Sequence, residues 1–158
     1  MAVARDGSAE FWQALRAWWR APDADREYRA VRAALVHLRR RLPGWEAAHV
    51  EAALPEGVRA LWSEPEPERT RLEGRPLERY DARHFFEAVR ADAGLADTGE
   101  AERVTVAVLA ALARFLDRTH RDHVANCLPA GLKEPWYEVA GLFPGAPPRR
   151  ARPPGGGR

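Results

Sequence analysis

Tyr28, Val31, Leu35, Leu38 and Leu42 recur at alternating spacings of three and four. On a helix of about 3.6 residues per turn this lines them along one stripe. Arg26 precedes them and Arg29, Arg32 and Arg39 lie between them, so the pattern predicts an amphipathic helix over Arg26–Leu42. A second long segment, Glu100–Leu116, has Val104, Val106 and Val108 where the first has Ala30, Arg32 and Ala34. It is apolar on almost every side, and such a helix is expected at the centre of a bundle or in an oligomer interface. The Val-Thr-Val-Ala-Val run alone would suit a strand, but its Leu/Ala-rich continuation supports helix.

These two segments belong to a longer duplication. Phe11–Glu64 and Phe85–Glu138 align without a gap at an offset of 74, and 18 of the 54 pairs are identical. The matched pairs include Phe11/Phe85, Leu35/Leu109, Leu38/Leu112, His49/His123, Val50/Val124, Leu54/Leu128, Pro55/Pro129, Gly57/Gly131 and Trp62/Trp136. Most are apolar or turn-forming, so what the copies share is chiefly a fold.

Each copy reads as four helices. The first covers about ten residues from Phe11 or Phe85. A polar connection follows, in which Asp or Thr can cap the second, long helix. A short third helix leads to a Leu-Pro step that ends it. The fourth begins at that proline and covers Glu56–Trp62 or Ala130–Trp136, with Pro135 expected to shorten the second copy.

The fold expected is therefore all-α, a helical bundle built from two pseudo-repeated four-helix units. Residues 1–64 and 81–143 are the repeats, 65–80 a Pro- and charge-rich linker, and 144–158 a basic Pro/Gly/Arg tail.

Composition agrees with helix. The chain is 46% hydrophobic and 30% charged, and it contains no isoleucine. Its single cysteine cannot close an internal disulfide, which points to a reducing compartment. The N-terminus lacks a signal-peptide core, and the longest apolar run, 104–113, is too short to span a bilayer. A cytoplasmic protein with no membrane association is expected.

The pI near 9.1 invites a nucleic-acid reading. Residues 1–64 carry +1, 65–80 carry 0, 81–138 carry −3 and the tail +4, which sums to the net +2. The basic excess thus sits in the tail, at Arg149, Arg150, Arg152 and Arg158. Within the fold the one basic cluster is Arg39-Arg40-Arg41. Successive helical residues point about 100° apart, so a solvated helix end is expected there.

Second-copy residues carry a recognisable pattern: Phe86-Glu-Ala-Val89, Gly94-Leu95, Glu100-Ala-Glu-Arg103, Val108-Leu-Ala-Ala-Leu112, Leu116, Cys127-Leu-Pro129, Leu132 and Trp136. With its duplicate, this resembles the bacterial domain of unknown function 2267 family over about residues 10–138. Copy one departs from the pattern at Trp18-Trp19-Arg20, where glycine would follow. The resemblance implies a small helical bacterial protein and no particular reaction.

The segment with the richest chemistry is His120–Pro129. On a helix His120, His123 and Cys127 fall at i, i+3 and i+7, and imidazole with thiolate suits zinc. The duplicate argues against that set, because copy one has Glu46, His49 and Ala53 in the same places. Packing or capping around the Leu-Pro turn is the role expected of His49 and His123, and Cys127 is expected to be a small buried residue. If a metal binds, His49 and His123 brought together across the halves would hold it. No cofactor is expected, and there is no GxSxG, phosphate-cradling glycine loop or HExxH to suggest an enzyme.

Six tryptophans are many for 158 residues. Trp12, Trp18 and Trp19 cluster on the first helix, and copy two has Asp92 and Ala93 opposite Trp18 and Trp19. Trp12, Trp18 and Trp19 are therefore the expected contact site for a protein partner or for self-association. The function expected is a non-enzymatic interaction or scaffold module. The alternatives are a nucleic-acid-associated protein using Arg39–Arg41 and the Arg tail, and metal or small-ligand binding between the repeats.

Overall fold

A computed structural model describes residues 7–63 and 81–142. The linker over 65–80 and the tail from residue 144 lie outside the described residues. The first half holds α1 (Ser8–Arg16), α2 (Ala24–Arg41), α3 (Gly44–Ala53) and α4 (Glu56–Trp62). The second holds α5 (Ala82–Ala93), α6 (Thr98–Ala113), α7 (Arg118–Cys127) and α8 (Ala130–Ala140). Among the described residues there is no strand, and the four-plus-four arrangement follows the repeat.

Local chemistry sets the boundaries. Asp23 and Asp97, equivalent in the two copies, accept from the backbone N–H of Arg26 and Glu100, each at 2.8 Å, and so cap the long helices. Asp117 does the same for α7 at His120 N, 2.9 Å away. Pro43, Pro55 and Pro129 precede α3, α4 and α8 in extended conformation, where a missing N–H is harmless. Gly94 ends α5 with φ at 69°, a left-handed conformation that glycine adopts without penalty.

Two expectations change. Pro135 does not shorten α8, which continues to Ala140. The proline removes one backbone donor, and burial of Trp136 and Ala140 beyond it holds the helix. Tyr28 leaves the expected stripe and is exposed, while Ala30 and Ala34 on a neighbouring line of α2 are buried.

The halves interlock. α1 lies against α6, and α5 lies against α2, so the first helix of each half packs on the long helix of the other. α6 touches α1, α2, α5 and α8, and from Ala107 to Ala113 every residue is buried. Its near-complete apolar surface is thus explained by a central position.

Equivalent glycines fix equivalent approaches. A Cβ on Gly57 would stand 2.7 Å from Ser8 Oγ, and one on Gly131 would stand 2.6 Å from Ala82 Cβ. Ser8 and Ala82 are themselves 74 apart, so both copies bring the start of α4 or α8 tightly onto the start of α1 or α5. The core likewise pairs residues across a pseudo-twofold relation. A small apolar void of about 10 Å³ is bordered by Leu38 and Leu112, Val50 and Val124, and Trp62 and Trp136.

Candidate functional site

α3 and α7, the equivalent third helices, meet at the seam between the halves. Glu46 occupies the first turn of α3, where the helix dipole favours negative charge. Its side chain is fully buried, at 0% exposure. His120 and His123 lie in the first two turns of α7, three residues apart and hence on one face.

Both imidazoles turn Nδ1 toward the one carboxylate. His123 Nδ1 is 3.1 Å from Glu46 Oε1, a hydrogen bond that the carboxylate accepts. His120 Nδ1 is 3.3 Å from Glu46 Oε2. That second pair is close enough for an ion pair but poorly aligned for a hydrogen bond, and both atoms are buried with no hydrogen-bond partner. Buried polar atoms left in this way are uncommon and call for an explanation.

Ligand-capable atoms of Glu46, His120 and His123 all fall within 4.8 Å of one another. His49 stacks on His120, with ring centroids 4.4 Å apart. Trp45, 55% exposed, sets its ring edge-to-face against His123 at 5.2 Å and His49 at 6.3 Å.

Pseudo-symmetry orders this cluster. Glu46 and His120 are equivalent positions, as are His49 and His123. The Glu46–His123 and His49–His120 contacts are therefore the same contact in the two copies, and Glu46–His120 lies across the relation between them. One copy contributes charge and the other imidazole at the matched position.

The expected role of His49 and His123 at the Leu-Pro turns is corrected. The carbonyls there are taken by Arg59, which donates to Glu51 O and Leu54 O at 3.1 and 3.0 Å, and by Lys133, which donates to Ala125 O at 2.8 Å. Arg59 and Lys133 are equivalent, and each reaches back from the following helix to the end of the one before it. The histidines are left free to face the seam.

Cys127 stands close enough for Glu46 to act on it electrostatically but is not among the three clustered ligands. Burial pushes its thiol pKa up and Glu46 adds to the rise, while Lys133 and Arg41 pull the other way. A thiol held neutral is a poor metal ligand. The set on α7 is thus the two histidines, with the third group supplied by α3. From sequence, Glu46 stands with Glu51, Asp117 and Asp122 only as a carboxylate near the shared histidines, expected on a solvated helix face. The structure buries it, and the signal for its place in the set was the Glu-for-His exchange at equivalent positions.

The tryptophan cluster separates. Trp19 is buried and its Nε1 approaches Glu100 Oε2 at 3.4 Å, so it is a core residue and not a contact surface. It matches Ala93, also buried, across the repeat. Trp12 is partly buried against Phe11 in an edge-to-face pair. Trp18, beyond the end of α1, remains 49% exposed.

Arg39–Arg41 is not a solvated helix end. Arg39 donates to Trp62 O at 2.7 Å, meeting the carbonyl end of α4, and Arg41 is buried. Arg149, Arg150 and Arg152 lie outside the described residues. No helix among the described residues is long and apolar enough to cross a membrane.

One family, described as "Uncharacterized conserved protein (DUF2267)", matches the chain twice, over residues 8–94 and 82–152. The double match agrees with the duplication. No curated protein matches the chain.

Proposed function

We infer that this chain, which belongs to the DUF2267 family, is a non-enzymatic binding module whose recognition site is the seam between α3 and α7. It takes a positively charged group of its ligand or partner there. The observation that supports this reading is Glu46: a carboxylate with no solvent exposure, one of whose oxygens makes no hydrogen bond. Burying such a group is costly unless it is paired, so a cationic occupant suits it.

Trp45 extends the site to the surface. An exposed indole flanked by two imidazoles gives an incoming group a flat apolar wall and a polar rim, the composition common at binding anchors. Because both halves contribute side chains, the site exists only where the duplicated units pack together. This gives the duplication a use beyond stability.

Heteronuclear NMR of the full chain, titrated with a panel of metal ions, guanidinium and ammonium compounds and, as controls, small anions, tests the reading. Shifts caused by cations at Trp45, Glu46, His120 and His123 are expected. Shifts produced only by anions, shifts mapping to other helices, or none at all would contradict it.

A further inference from the structure

We propose that Glu46, His120 and His123 bind a divalent first-row transition-metal ion, through the carboxylate of Glu46 and the Nδ1 atoms of both histidines. The proposal rests on the reading of the seam as a cation site and names the cation.

Ligand chemistry selects the ion. Two imidazole nitrogens with one carboxylate oxygen form a borderline donor set suited to zinc, cobalt, nickel or iron, whereas calcium and magnesium prefer oxygen ligands throughout. Distances agree. A tetrahedral ion with bonds of about 2.0–2.1 Å holds its donors about 3.3 Å apart. His120 Nδ1 lies 3.3 Å from Glu46 Oε2 and His123 Nδ1 lies 3.1 Å from Glu46 Oε1, so each histidine meets its own carboxylate oxygen at that spacing. The three ligand atoms fall within 4.8 Å of one another, a spread that the ion would draw in.

The misaligned Glu46 Oε2 and His120 Nδ1 pair is accounted for as well. These atoms lie 3.3 Å apart with no hydrogen bond between them, and an ion bound by both would satisfy both. Each imidazole then carries its proton on Nε2, in place of the Nδ1–H that His123 otherwise gives to Glu46.

The frame is held on both sides. Asp117 caps α7 at His120 N and so fixes the first turn that carries the ligand. The His49 ring lies against that of His120, tilted by 33° with centroids 4.4 Å apart. Three protein ligands leave at least one position for water or for a group from a partner.

Cobalt(II) titration of the chelator-washed full chain reads the site directly. One equivalent is expected, with a visible ligand-field band of mixed nitrogen and oxygen coordination, and zinc should displace it. Glu46→Gln, His120→Ala and His123→Ala should each weaken binding by roughly tenfold or more, while His49→Ala stays within about threefold, since it removes a neighbour and no ligand.

Helical circular dichroism shows whether each variant folds. Should one not fold, zinc-induced shifts of the His120 and His123 imidazole nitrogens in the wild-type protein supply the same answer. No band, a band indifferent to Glu46→Gln in folded protein, or zinc shifts confined to other histidines would overturn the proposal. If guanidinium compounds shift the seam resonances and metals do not, the metal is wrong and the cation site stands. If nothing shifts them, both fall.

Discussion

Glu46 and His120 hold the same position in the two copies of the repeat, and they face each other at 3.3 Å across the seam. Equivalent residues that lie close to the pseudo-twofold relation face each other across it, so a change in one copy is set against the other. Here that change is acid against imidazole. The core shows the conservative side of the same geometry, with Leu38 and Leu112, and Trp62 and Trp136, bordering one void.

The two central tryptophans differ in one respect. Trp136 Nε1 donates to Arg121 O at 2.9 Å, whereas Trp62 Nε1 is buried with no partner. Trp136→Phe therefore loses a hydrogen bond that Trp62→Phe does not. Urea denaturation should show Trp136→Phe to be less stable than Trp62→Phe by about 1 kcal/mol. Equal losses, or the reverse order, would refute this account of the pair.

Gly131 admits no side chain without displacement, since its added Cβ would lie 2.6 Å from Ala82 Cβ. Gly131→Ala should destabilise by about 1–3 kcal/mol through overpacking. Pairing it with Ala82→Gly should recover most of that loss in thermal melts. If the double variant melts no higher than the single one, the close approach is not what the glycine serves.

Trp18 and Trp19 are neighbours in sequence and opposites in structure. Trp19→Ala opens the core and should cost about 3 kcal/mol or more. Trp18→Ala should stay within about 0.5 kcal/mol, because the exposed ring has little burial to lose. Denaturant midpoints of the two variants decide the assignment, and comparable losses would place Trp18 in the core too.

Cys127 should titrate above the ordinary thiol range, because burial and the Glu46 charge both oppose the thiolate. The pH profile of iodoacetamide alkylation should accordingly lie higher than that of an unstructured cysteine peptide, and Glu46→Gln should move it down. The folded state favours the protonated thiol. Stability relative to Cys127→Ala is thus held below the unfolded thiol's pKa and falls as pH rises from there through the folded pKa. A profile at or below the peptide's would contradict the placement of Cys127 beside Glu46.

The eight helices of the described residues were legible in the chain because each half carries its own periodicity, Asp caps and Leu-Pro stop, and the constant offset of 74 let one copy support the other. Burial of α6 followed from its valines. The long stripe misplaced only Tyr28, since helix α2 turns toward α5 and α6 along a line of alanines whose small size admits close packing.

The candidate site was half legible. Spacing on α7 brought His120 and His123 to one face but added Cys127, whose thiol is held protonated by burial and the Glu46 charge and is not among the clustered ligands. Glu46 comes from 74 residues earlier, and pairing it with His120 requires knowing how the copies pack. Residue types likewise gave no sign that Arg59 and Lys133, and not the histidines, close the Leu-Pro turns. A long cation reaching back to free carbonyls depends on the angle between consecutive helices.

A crystal of the zinc-loaded protein, measured at the zinc absorption edge, tests the seam most directly. An anomalous peak is expected at coordination distance from the Glu46 carboxylate, His120 Nδ1 and His123 Nδ1. A peak bound elsewhere, or an α3–α7 seam free of anomalous density at full zinc loading, would contradict the metal site.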